Sequence, residues 1–171
     1  MKLFLASVVT AFALVLSAKA DEATAKITDM HICCHGCVKS IETTVATVPD
    51  VKAEVDKDAG TVTLTSADKA SLQKATDALT AAGYFGKSSD VTLDAATGAK
   101  NEKVQSMKIT GVHLCCGSCV KAVNKTVKSV AGVTGDDATK GADSFTVTGD
   151  FNEQDVMAAL QKEGLTGKVS N

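Results

Sequence analysis

The sequence predicts an α+β protein made of two βαββαβ units, each a four-stranded antiparallel sheet with two helices on one face. Three observations lead there. A cysteine-rich segment occurs twice, the hydrophobic period switches between strand and helix spacing in the same order after each copy, and a small, polar stretch separates the copies.

The repeat sets His31-Ile32-Cys33-Cys34-His35-Gly36-Cys37-Val38-Lys39 against His113-Leu114-Cys115-Cys116-Gly117-Ser118-Cys119-Val120-Lys121 without a gap, and these two segments hold all six cysteines. The flanks answer each other too. Lys26-Ile27-Thr28 matches Lys108-Ile109-Thr110, Thr44-Val45 matches Thr126-Val127, and Ala78-Leu79 with Gly83 matches Ala159-Leu160 with Gly164. Such self-similarity points to duplication of a folding unit of about 70 to 80 residues.

In the first copy, Ala25 to Ile32 reads as a strand, and the three-residue step from Ile27 to Met30, repeated from Ile109 to Val112, suggests a bulge. Val38, Ile41, Val45 and Val48 then follow a helical period, matched by Val120, Val123, Val127 and Val130, and Pro49-Asp50 ends the first of these helices. Val51, Ala53 and Val55 alternate, a turn falls at Asp56 to Gly60, and Val62 with Leu64 alternate again, which makes a hairpin. Ser66-Ala67-Asp68 opens a second helix with Leu72, Ala75, Leu79 and Ala82 inward and Gly83 as its stop. A last strand is expected at Val91 to Leu93. The second copy repeats this order with a polar second strand near Asp136 to Thr139 and only Lys168 to Asn171 for its last strand, so it is expected to be the less stable copy.

Residues 1–20 read as a secretory signal peptide: Met1-Lys2, an apolar run from Leu3 to Leu16, and small residues at Ala18 and Ala20 before Asp21-Glu22. The expected division is 1–20 leader, 21–94 first unit, 95–103 linker and 104–171 second unit, with a secreted or periplasmic product. No other segment is apolar enough over a sufficient length to span a membrane. A net charge of −2, with lysines intermixed among acids, excludes the clustered basic surface that nucleic-acid binding needs, and five Phe, one Tyr and no Trp offer few stacking platforms.

The chemistry lies in the cysteines. Each cluster sits where a strand hands over to a helix, and the spacing of Cys34 to Cys37, and of Cys116 to Cys119, lets a helical turn bring both sulfurs to one side. Cys37 and Cys119 fall in the first turn, where unpaired N–H groups and the helix dipole favour thiolate. Thiolate is a soft ligand suited to Cu(I), Zn(II) or Hg(II), up to one ion per unit. Cys33 and Cys115 add a third sulfur, and His31 and His113, two residues back on the strand, share their face, so three or four ligands per ion are within reach. Met30 and Met107 read as core residues.

On these residues the chain resembles two tandem heavy-metal-associated domains, the ferredoxin-like modules of copper chaperones, periplasmic mercury-binding proteins and metal-pumping P-type ATPases. Their usual G-M-x-C-x-x-C motif stands here as His31 to Cys37 and His113 to Cys119. The resemblance implies that Cys34, Cys37, Cys116 and Cys119 are the metal ligands, that Ile32 and Leu114 take the place of a buried methionine, and that Gly83-Tyr84 is a Gly-Tyr near the metal loop, with Leu165 in that place in the second copy. It also implies a non-enzymatic carrier whose partners are metal ions and a membrane metal transporter or another metal carrier. His31, His113, Cys33 and Cys115 depart from the motif, and an apolar residue before two adjacent cysteines is similar to the motif of zinc-pumping plant ATPases.

Two other uses of six cysteines in an exported chain are structural disulfides and thiol-disulfide exchange. Tight clustering argues against the first, since a bridge closing so short a loop stabilises little. The absence of a thioredoxin-like element order and the third cysteine in each cluster argue against the second.

Overall fold

The computed structural model describes residues 22–170, so the expected leader lies outside the described residues. Within them the chain is α+β, with four helices and two antiparallel sheets. The first half runs β1 (Ala23–Ile27), α1 (His35–Val45), β2 (Lys52–Asp56), β3 (Thr61–Ser66) and α2 (Lys69–Ala81). The second runs β4 (Lys103–Thr110), α3 (Gly117–Lys128), β5 (Val133–Asp136), β6 (Ser144–Asn152), α4 (Glu153–Lys162) and β7 (Lys168–Ser170).

Alternation decides which face of each sheet is covered. Ala25, Ile27, Val62 and Leu64 are buried while Thr24 and Lys26 between them are exposed, the signature of a sheet dry on one side only. Against that face lie Cys37, Ile41 and Val45 of α1, and Leu72, Ala75 and Leu79 of α2. In the second half Met107, Ile109, Phe145 and Val147 play the sheet's part, under Val123 and Val127 of α3 and Val156 and Leu160 of α4. Asp68 caps α2 by accepting from the Ala70 N–H, and Asn152 caps α4 through Gln154.

The expected bulge after Ile27 is a left-handed residue. Asp29 has φ 59°, and Gly111, its counterpart, has φ 75°. Each turns the strand end so that the following apolar residue, Met30 or Val112, stays buried.

The two sheets differ, and the first corrects an expectation. It has three strands, in the order β1-β3-β2, and Val91 to Leu93 form no strand. Beside β1 the chain makes one bridge, Thr28 with Lys87, and then turns away at Ser88, whose hydroxyl accepts from the Asp90 N–H. The Asp90 carboxylate accepts from the Lys26 N–H, filling the edge position a strand would take. Gln73 on α2 takes both the N–H and the C=O of Thr92 through its side-chain amide. Side chains thus satisfy the backbone groups that a fourth strand would have paired.

The second sheet is four-stranded, β5-β6-β4-β7. Its second strand falls at Val133–Asp136, earlier than the polar stretch the sequence suggested, and Lys168–Ser170 pair with β4 despite their brevity. The premise for a weaker second copy is therefore reversed, because that half has the more complete sheet and two buried phenylalanines, Phe145 and Phe151. Residues 95–102 are irregular, but they dock on the second half: the Lys100 N–H donates to Glu153, and the Val169 N–H donates to the Thr97 carbonyl. No helix among the described residues is long and apolar enough to cross a membrane.

Candidate metal centre

Each cysteine's place follows from local structure. Cys34 and Cys116 are the extended N-cap residues of α1 and α3. Cys37 continues down α1 in helical register with Ile41 and Val45, and Cys119 with Val123 and Val127, so these two sulfurs are carried by the buried stripe of each helix. Both residues are fully buried. Cys33 and Cys115, just ahead of the caps, are half-buried, and Ile32 and Leu114 pack beneath the loops. His35 and Gly36 face outward.

The two loops meet because the turns after α2 and α4 pack across the halves. Tyr84 and Leu165 form an antiparallel bridge, with the Phe85 N–H donating to the Gly164 carbonyl and the Thr166 N–H to the Gly83 carbonyl, both at 3.0 Å. Gly83 (φ 87°) rests on the loop leading to the second cysteine cluster, and Gly164 (φ 75°) on the loop leading to the first. A Cβ at Gly83 would lie 2.4 Å from the Gly111 carbonyl oxygen, and one at Gly164 would lie 2.4 Å from that of Asp29. Only glycine allows both the positive φ and this approach.

As a result the six sulfurs form one group. Cys33 Sγ lies 3.4 Å from Cys116, 3.5 Å from Cys119 and 3.6 Å from Cys37. Cys34 lies 3.8 Å from both Cys37 and Cys116. Cys115 is 3.7 Å from Cys37 and from Cys119, and Cys116 is 3.7 Å from Cys119. All six are free thiols. Four sulfurs at the usual 2.3 Å from a tetrahedral ion are about 3.8 Å apart, so these spacings suit a shared cation.

Both histidines join the group. Ligand atoms of Cys37, His113, Cys115 and Cys119 all lie within 4.8 Å of one another, as do those of His31, Cys33 and Cys119. Two further sets hold sulfur alone: Cys33, Cys34 and Cys37, and Cys34, Cys115 and Cys116. The structure thus brings together all eight candidate residues, and it does so across the halves.

Tyr84 was not among the candidates. Its ring is buried 4.5 Å from that of His113, and its hydroxyl donates to the Cys37 carbonyl at 3.2 Å and meets His113 Nε2 at 2.9 Å. The hydroxyl thus holds the His113 ring in place, with donor and acceptor set by the imidazole tautomer. The repeated Gly-Tyr and Gly-Leu turns were the signal that could have marked this position. His31 has no such support, and its Nε2 is buried with no hydrogen-bond partner. Burial holds the His31 pKa below the usual imidazole value, favouring the neutral form that binds metal.

Charge is unevenly held among the sulfurs. The hydrogen bond between Cys37 and Cys119 lowers the first to about 2 and raises the second, so one proton stays with the pair. Burial raises Cys33, and pushes Cys115 up to about 12. Cys116 is lowered to about 6, chiefly by the backbone N–H of Cys119, which is the helix-terminus effect acting at the cap. A buried anionic sulfur needs a counter-charge, and a soft cation among these sulfurs would supply one.

Fold and site together define a small α+β protein with a cluster of convergent thiols. Residues 15–85 match the profile of the heavy-metal-associated domain. Among solved structures, the chain is similar to oxidized MerP from Ralstonia metallidurans CH34, at 24% identity over 39% of this chain and 97% of that one, with a TM-score of 0.37. It is also similar to the N-terminal soluble domains of Bacillus subtilis CopA, at 16% identity over 88% of this chain and 95% of that one, with a TM-score of 0.34. A third similarity is to the apo HMA domain of a copper chaperone for superoxide dismutase, at 25% identity over 47% and 82% of the respective chains, with a TM-score of 0.36. No curated protein matches the chain.

Proposed function

We propose that this chain is an exported, non-enzymatic carrier or scavenger of soft metal ions, built from two tandem heavy-metal-associated domains. The observation that carries this reading is the convergence of six free thiols at spacings of 3.4 to 3.8 Å. The profile match over residues 15–85 supports it for the first domain, and the repeat extends it to the second. The domains are 21–94 and 104–171, joined by 95–103, and residues 1–20 are the leader of a secreted or periplasmic protein.

The ligands are drawn from Cys33, Cys34, Cys37, Cys115, Cys116 and Cys119 with His31 and His113. Capture starts at the half-buried N-cap sulfurs, where Cys116 is already thiolate at neutral pH. Release to a membrane transporter or another carrier proceeds by ligand exchange: an incoming thiolate adds to the ion as one of the chain's own sulfurs leaves. Metal analysis of the reduced full chain, with Cu(I), Zn(II) and Hg(II) in competition, tests this. Retention of at least one of them is expected, with loss of affinity in the Cys37→Ser, Cys119→Ser double variant, and no more than trace binding of all three by the unaltered chain would overturn the reading.

The lowered Cys116 beside Cys33 at 3.4 Å also fits thiol-disulfide exchange. Turnover in an insulin-reduction assay would favour that reading.

A further inference from the structure

Resting on the metal-binding reading, we infer that the two cysteine loops build one binuclear site for divalent, tetrahedral ions of the zinc class, with the thiolates of Cys37 and Cys119 shared by both ions. The grouping of ligands carries this. Each set that contains a histidine also contains a sulfur from the opposite half: Cys37 joins His113, Cys115 and Cys119, and Cys119 joins His31 and Cys33. Cys37 is not a member of that second set, but it lies 3.6 Å from Cys33 and within 4.8 Å of Cys119, two of the set's three members, which makes it the nearest sulfur for a fourth ligand there. One ion is therefore held by His113 and Cys115, the other by His31 and Cys33, with Cys37 and Cys119 common to both.

Cys37 and Cys119 suit bridging by position. They are the two fully buried cysteines, each projecting from the first turn of a helix toward the contact between the halves, whereas the other four are half-buried. Charge then favours divalent over monovalent ions. Four thiolates and two neutral imidazoles balance two divalent ions, and a buried cluster without excess charge avoids a large desolvation cost. Two monovalent ions would leave two negative charges in the same dry place. Each thiol that becomes a ligand releases its proton to solvent, so loading is accompanied by acidification.

Cys34 and Cys116 fall outside both sets. They lie 3.8 Å from each other, each within reach of a bridging sulfur, at 3.8 Å for Cys34 and 3.7 Å for Cys116. This places them as the entry pair that passes an ion inward.

The test is titration of the reduced full chain with Zn(II) against a chromophoric chelator, with native mass spectrometry to count ions. Two ions are expected, with the two-ion species exceeding the one-ion species at half loading. Cys37→Ser and Cys119→Ser are each expected to weaken both ions at least tenfold, with far-UV circular dichroism confirming the fold. Cys115→Ser, at a terminal ligand, is expected to weaken one ion and spare most of the other. If Cys37→Ser removes one ion and leaves the other at its original affinity, the sites are separate; the shared site is then overturned and the metal-binding reading stands. Binding of Cu(I) or Hg(II) without Zn(II) likewise overturns the zinc-class assignment alone. Failure to bind any of the three overturns both.

Discussion

The two halves share a cysteine loop but differ in what stands behind it. In the second half, His113 is held by Tyr84 reaching over from the first, and β4 is flanked on both sides by β6 and β7. In the first half, Leu165 occupies the position that Tyr84 takes in the exchange, it carries no hydroxyl, and His31 Nε2 is left buried and unpartnered. The outer edge of β1 is closed by Asp90 and one bridge rather than by a strand. The cluster is thus symmetric in its sulfurs and asymmetric in its support.

The largest effect on this comparison should come from the turns that join the halves. Gly83→Ala and Gly164→Ala each force a Cβ to within 2.4 Å of the other half's backbone, and each should destabilise the chain by about 1–3 kcal/mol through overpacking, with more from the positive φ. Both should also reduce cross-half sulfur crosslinking by a short bifunctional thiol reagent. Crosslinking at the original rate in both variants would mean the halves do not depend on these turns.

Tyr84→Phe comes next. It removes the hydroxyl that fixes His113, and losing a hydrogen-bond partner of a ligand in this way lowers metal affinity about 10- to 100-fold. Leu165→Tyr makes the converse change, and tighter metal binding is the expected outcome if its hydroxyl reaches His31. Unchanged affinity in Tyr84→Phe would remove His113 from the ligand set.

A smaller difference separates the edges. Lys26 and Lys108 occupy matching places, but the first donates to a side chain while the second lies opposite Ser170 in a strand pair. Amide exchange should be slower in β4 than in β1, by about fivefold for one hydrogen bond's worth of protection. Faster exchange in β4 than in β1 would restore the expectation of a weaker second half, and equal protection would contradict both orders.

How much of this was legible without coordinates varies by element. The helices and hairpins were readable because Ile41, Val45, Leu72 and Leu79 keep a helical period and Val62 and Leu64 alternate. Val91 to Leu93 misled because alternation marks a chain able to form a strand, whereas the Ser88 turn and the Gln73 amide decide where that chain goes. The cysteines were evident from their spacing. Their union into one centre was not, because local spacing says nothing about two distant loops facing each other; Gly83 read as a helix stop and, by resemblance, as lying near its own metal loop, and Gly164 only as its counterpart, whereas each packs on the loop of the other half.

The finest prediction concerns Cys116. With its pKa near 6, alkylation by iodoacetamide should be roughly constant between pH 7 and 8 and fall as pH drops below about 6, because only the thiolate reacts. Mass mapping of the modified peptide checks this, and a rate still rising steeply through pH 8 would contradict it.

X-ray absorption at the zinc edge of the loaded full chain asks most directly whether sulfurs from both halves hold the same ions. A shell of three sulfurs at about 2.3 Å and one imidazole nitrogen per ion, with a second metal beyond it, is the predicted result. Two sulfurs per ion and no metal neighbour would contradict it.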